Sequence, residues 1–145
     1  MRRGAESHRM REVTVERFVA ATGADLEPAF TPERILTYEG TFEPVDVSET
    51  DSGWTVTATV PGMRVAFDFE PREAGIHYAQ HGDEGPFDAM ETTITYERER
   101  EGSMVRATSS VTLGLPLAAV TDRIAAWKRR GELRRLLRTL AADVE

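Results

Sequence analysis

The chain has no cysteine. Disulfide bridges, thiolate catalysis and cysteine-ligated zinc are therefore excluded for it. It has one lysine, Lys128, against seventeen arginines. No run approaches the ~18 apolar residues that a membrane span needs, and residues 1–9 lack the apolar core of a secretory signal. A cytoplasmic protein without stable membrane insertion is the expectation. The sequence has no Gly-x-Ser-x-Gly elbow, Walker loop or dinucleotide fingerprint. An enzyme built on this chain would have to shape its substrate with a few polar groups, and no cofactor is expected.

What is present is an uneven charge. The net charge is −7 over 145 residues, yet residues 1–11 carry +3, residues 115–145 carry +3 and residues 12–114 carry −13. The acidic middle repels phosphate backbones, which argues against a nucleic-acid partner. Acidic, lysine-poor composition fits either a halophile-like source or a GC-rich genome. The length suits one domain, here 10–145. Residues 1–9, MRRGAESHR, show no apolar period and read as a disordered tail that includes His8.

Periodicity organises the rest. Val13, Val15 and Val19 alternate with polar neighbours over residues 12–20, as in a strand. Thr31-Pro32-Glu33-Arg34 is a helix start, with an N-cap residue followed by proline at the first helical position. Gly40 closes that region. Alternation then resumes six times. The runs are around Phe42 to Val47 (through Pro44 or Val45), Trp54 to Val60, Met63 to Phe69, Ile76 to Gln80, Met90 to Tyr96, and Val105 to Leu113. Pro and Gly turns separate them, with one turn placed at Pro71-Arg72-Glu73. The fold class is α+β. A seven-stranded antiparallel sheet has one wet face, and two short helices follow strand 1. The C-terminal helix covers the other face.

The element order, with VTVERFVAATGADLEPAFTPERIL (Val13 to Leu36) and ELRRLLRTLAADVE at the end, resembles the START-like, helix-grip superfamily. Its members are often labelled SRPBCC or polyketide cyclase/dehydrase. The chain departs from the family's T-D-P-E-R step in lacking the Asp, and Pro28 interrupts the first helix. The resemblance implies a curved sheet gripping a long C-terminal helix around an apolar cavity. It also implies a hydrophobic small-molecule partner, such as a lipid, polyketide, isoprenoid or quinone-like compound. A cyclase or dehydratase acting on a polyketide-like substrate is the enzymatic alternative.

Candidate ligand contacts come from the inward rows, where polar groups interrupt apolar ones: Trp54, Phe67, Tyr78, Met90, Thr92, Tyr96 and Ser109, with Leu133 and Leu137 from the helix. A few convergent polar groups in an apolar concavity are the usual make-up of a small-molecule pocket. Tyr78 and Tyr96 are the expected orienting donors. The alternative is that these hydroxyls satisfy one another. His77 and His81 lie about 13 Å apart on a strand, too far for one ion, so no metal site is expected. Glu97, Glu99 and Glu101, with the loop acids Asp83, Glu84 and Asp88, read as a solvated face.

The C-terminal segment is basic, with Lys128, Arg129, Arg130, Arg134, Arg135 and Arg138. On a helical wheel Leu133, Leu136, Leu137, Leu140 and Val144 form one stripe, opposite Arg134, Arg135 and Arg138. Leu117, Val120, Ile124 and Trp127 form another, turned roughly 160° from the first. Gly131 sits at the changeover, so a bend or break is expected between Lys128 and Glu132. A continuous helix would instead expose the Val120–Trp127 face and mark it as a surface for a protein partner or a homodimer.

Overall fold

The computed structural model describes residues 11–112 and 118–145, the side chains of 118–123 excepted. The expected tail, with His8, and Leu117 lie outside the described residues, as does the side chain of Val120. Strand β1 (Arg11–Val19) leads to helix α1 (Gly23–Leu26), a 3-10 turn (Glu27–Ala29) and helix α2 (Pro32–Glu39). A meander of six strands follows: β2 (Glu43–Glu49), β3 (Trp54–Val60), β4 (Met63–Arg72), β5 (Gly75–Gln80), β6 (Ala89–Glu99) and β7 (Gly102–Thr112). Helix α3 (Ala118–Val144) closes the chain.

The sheet order is β1-β7-β6-β5-β4-β3-β2, antiparallel throughout. β1 and β2 are therefore opposite edges, and α1 and α2 carry the chain between them. α3 lies against β1, β7 and α2. This is the helix-grip arrangement: one antiparallel sheet holding one long helix. The concave face is made by the alternating inward residues, among them Val13, Val56, Phe67, Ile76, Ile94, Val105 and Val111, all nearly without solvent contact. Leu133, Leu136, Leu137 and Leu140 of α3 meet them. Of the last stripe only Val144 is partly exposed.

Local chemistry sets the helix ends. Thr31 Oγ1 accepts from Arg34 N at 3.3 Å, which satisfies one of the amides left open in a first turn. Gly40, at φ 81°, ends α2 and donates to the Leu36 carbonyl at 3.0 Å; the left-handed conformation there favours glycine. β2 carries a register shift between Pro44 and Asp46. Val45 is left 54% exposed, and that bulge is why the sequence pattern wavers between Pro44 and Val45. The turn expected at Pro71 falls later, because β4 continues to Arg72 and the chain reverses at Ala74, with φ 53°.

The break expected as one form of the changeover in the last helix is not found, since α3 is helical without interruption from Ala118 to Val144. Gly131 has no close neighbour, and a Cβ built there meets nothing within 4 Å. A close approach does not explain it. Continuity has the consequence anticipated for a continuous helix: Ile124 is 61% and Trp127 73% exposed. Gly131→Ala should raise unfolding stability by about 1 kcal/mol, seen as a higher urea midpoint at an unchanged slope.

Candidate functional site: a buried arginine beneath a mouth pocket

Arg129, one of the six cations of the basic segment, is 2% exposed. It precedes Leu133 by four residues and Leu136 by seven, so it shares their inward stripe. Burying a guanidinium is costly unless every N–H finds a partner, and here all five do. Nε donates to Ser109 Oγ at 3.1 Å. Nη2 donates to Tyr78 Oη at 2.8 Å and Thr92 Oγ1 at 2.9 Å. Nη1 donates to Glu132 Oε1 at 2.9 Å and to Glu39 Oε2. Thr92 and Ser109 share a further bond of 2.8 Å.

Glu39 is fully buried on α2, one turn beyond Ile35 and Leu36 on the same inward face. Its Oε1 has no partner among the described residues. One cation thus faces two carboxylates, Glu39 and Glu132. Burial pushes the Glu39 carboxyl above the ordinary glutamate range, against the pull of Arg129, and the nearby Glu132 charge adds to the rise. Burial likewise pushes the Tyr78 phenol well up. α2 and α3 are tied again at their surface, where Arg135 Nε donates to the Glu39 carbonyl at 2.6 Å and Tyr38 donates to Asp143 at 2.5 Å. Burial, then the hydrogen bond to Asp143, pushes Tyr38 up to about 12. Arg135, expected on the solvated back, thereby closes the C-terminal end of α2.

Above this network lies a pocket of about 550 Å³. Its walls are Phe42, Val60, Pro61, Met63, Pro86, Phe87, Ile124 and Ala125, and its polar edge is Thr41, Lys128, Arg129 and Glu132. It opens between the first half of α3, the start of β2, the β3–β4 turn and the β5–β6 loop. Gln80 holds that loop: Nε2 donates to the Phe87 carbonyl at 2.8 Å, and Oε1 accepts from Phe87 N at 3.1 Å. Phe42 joins the pocket wall to the aromatic core, edge-on to Phe67 at 5.1 Å.

The nine expected contact residues are distributed as follows. Tyr78, Thr92 and Ser109 converge, on Arg129. Phe67 lies edge-on to Tyr78 at 5.6 Å. Met90 accepts from Thr92 through its sulfur at 3.4 Å. Leu133 and Leu137 complete the packing beneath. Trp54 is half-buried at the start of β3. Tyr96 stands apart, edge-on to Phe30 at 5.0 Å, and reaches none of these hydroxyls. None of the nine lines the mouth pocket.

The histidines are separate from all of this. His77 meets Thr93 at 2.8 Å, and His81 meets Asp68 at 2.8 Å, a bond that raises the His81 pKa. Among the described residues no group of three or more His, Asp or Glu could hold a metal. No helix among them is long and apolar enough to cross a membrane.

Comparison with solved structures is decided by architecture. TTHA0849 from Thermus thermophilus superposes with a TM-score of 0.71 at 24% identity, over 92% of this chain and 97% of that one. XoxI from Bacillus cereus gives 0.70 at 13%, over 92% and 94%. Ara h 8.0201 gives 0.62 at 12%, over 92% and 99%. The fold is shared. At these identities the likeness shows the fold alone. No family model and no curated protein matches the sequence.

Two measurements test the network. Arg129→Met should cost about 3–5 kcal/mol, because it strands a buried carboxylate. Adding Glu39→Met should recover most of that loss, in a urea-denaturation cycle. The sign with pH follows from the raised Glu39 pKa. The folded chain holds a proton that the unfolded chain has released, so this group's contribution is full below the unfolded value and is lost as pH rises through the folded one. Wild type should lose stability over that window relative to Glu39→Gln, measured as unfolding free energy at a series of pH values.

Proposed function

We propose that the chain is a START-like, SRPBCC-type protein that binds a hydrophobic small molecule in the mouth pocket. One observation carries the reading: a cavity of about 550 Å³ with apolar walls and a charged floor at a single edge. A volume of that order suits a ligand of drug or isoprenoid size, and the lopsided lining suits an apolar body with one polar head. Arg129 has no N–H to spare, so the head would meet Glu132, Lys128 and Thr41. Tyr78, Thr92 and Ser109 would act as positioning residues that hold Arg129 and, through it, Glu132. Phe67, Met90, Leu133 and Leu137 would form the floor's support, with Trp54 and Tyr96 at the periphery. The cyclase or dehydratase alternative has less support, because the Tyr78 and Thr92 hydroxyls it needs are already engaged by Arg129 inside the core and Tyr96 stands apart from them.

The test uses anilinonaphthalene sulfonate, an apolar fluorophore with one polar head. The wild-type chain should bind it saturably at one site. Ala125→Trp, which fills the cavity from α3, should weaken binding at least about tenfold, about 1.4 kcal/mol, with an unchanged thermal midpoint. Equal binding by both proteins would remove the pocket from consideration.

A further inference from the structure

The outward side of α3 carries a feature that ligand binding does not require. At about 100° per residue, Ile124, Trp127, Lys128, Gly131, Arg134 and Arg138 fall within an arc of about 120°. All six are exposed. Between Ile124 and Ala142 that arc contains no carboxylate, since Glu132 turns towards the pocket. Among the described residues no acid pairs with Lys128, Arg134 or Arg138. Arg129, by contrast, is engaged inside the fold, and the exposed Arg135 is held by the Glu39 carbonyl. On a chain of net charge −7, three exposed cations without an acid partner thus share one helix face.

The apolar part of the arc is continuous with the pocket. Ile124 lines the cavity and is exposed, as is Met63 across from it at 45%. Trp127 is the most exposed large apolar side chain among the described residues, at 73%. A single exposed apolar residue needs no explanation. A tryptophan and an isoleucine on a pocket rim, flanked by three unpaired cations, have the chemistry of an interfacial helix. The indole sits well between apolar and wet surroundings. Cations on long stems are attracted to anionic headgroups while their carbons lie along the acyl boundary.

We propose that this face of α3 docks peripherally on an anionic lipid surface, seating Trp127 and Ile124 at the headgroup level with the pocket mouth beside them. The loop acids Asp83, Glu84 and Asp88 flank the pocket on its strand side, next to Pro86 and Phe87. Their charge tilts the contact towards the helix. The docking goes beyond the ligand-binding reading and does not depend on it, although an apolar ligand would be exchanged where it dissolves.

The experiment uses the full chain carrying Trp54→Phe, so that Trp127 reports alone. It is mixed with vesicles of phosphatidylcholine, with or without phosphatidylserine. With phosphatidylserine the emission should shift to the blue and the protein should co-sediment. Added salt should reverse both by screening. Arg134→Glu with Arg138→Glu should lower the partition coefficient at least about tenfold, and Trp127→Ala should lower it too. All of these positions are solvent-exposed, and circular dichroism should confirm an unchanged fold. Failure to bind phosphatidylserine vesicles would overturn the proposal, as would equal binding to neutral ones. So would a lipid-free dimer that buries Trp127 and dissociates on Trp127→Ala, because the face would then serve a second copy. The Ala125→Trp variant separates the two readings: it should lose the fluorophore and keep the vesicles.

Discussion

The guanidinium of Arg129 must find five acceptors in a place that water does not reach, and much of the molecule's interior is arranged to supply them. Tyr78, Thr92 and Ser109 come from three neighbouring strands, β5, β6 and β7, at positions that the antiparallel register brings side by side. Glu39 comes from α2 and Glu132 from the next turn of α3. One side chain therefore joins the concave sheet, the short helix and the long helix. Such an ion pair is weak evidence for stability in itself, since apolar packing of the same volume often does as well. What it does specify is geometry, because a helix rotated or shifted by one residue would leave the cation unpaired.

That constraint also explains where space remains. The deep concavity is taken up by aromatic rings and by the Arg129 network. Phe67, Phe69 and Tyr78 pack together there, the last two stacked at 4.6 Å. The cavity is consequently displaced to the mouth, where the first half of α3 leaves the sheet and the Gln80-held loop forms the opposite wall. The polar groups of the inward rows do not face this space directly. They act on it through Arg129, which presents Glu132 at its edge.

Much of this was legible in the sequence, because strand alternation is a local signal. The inward rows of β3 to β7 follow directly from it, and so does the cap at Thr31. The second apolar stripe on α3 misled, because periodicity shows which residues share a face and not whether anything covers that face. Gly131 invited a bend or a break, and the break is absent because a helix tolerates one exposed glycine at a cost of about 1 kcal/mol. Arg129 and Glu39 left a readable trace. Each is a charge on an otherwise apolar stripe, and such a residue needs an opposite partner if it is buried.

The sequence by itself determined the elements, their order and the faces that turn inward, because each depends on neighbours within a few residues. Only the tertiary structure decided that Arg129 meets Glu39, 90 residues away, that Tyr96 stands apart from Tyr78, and that Trp127 remains in water. Those outcomes depend on how far a curved sheet closes around a continuous helix. That closure is set by the packing of every strand at once, and no local pattern encodes it.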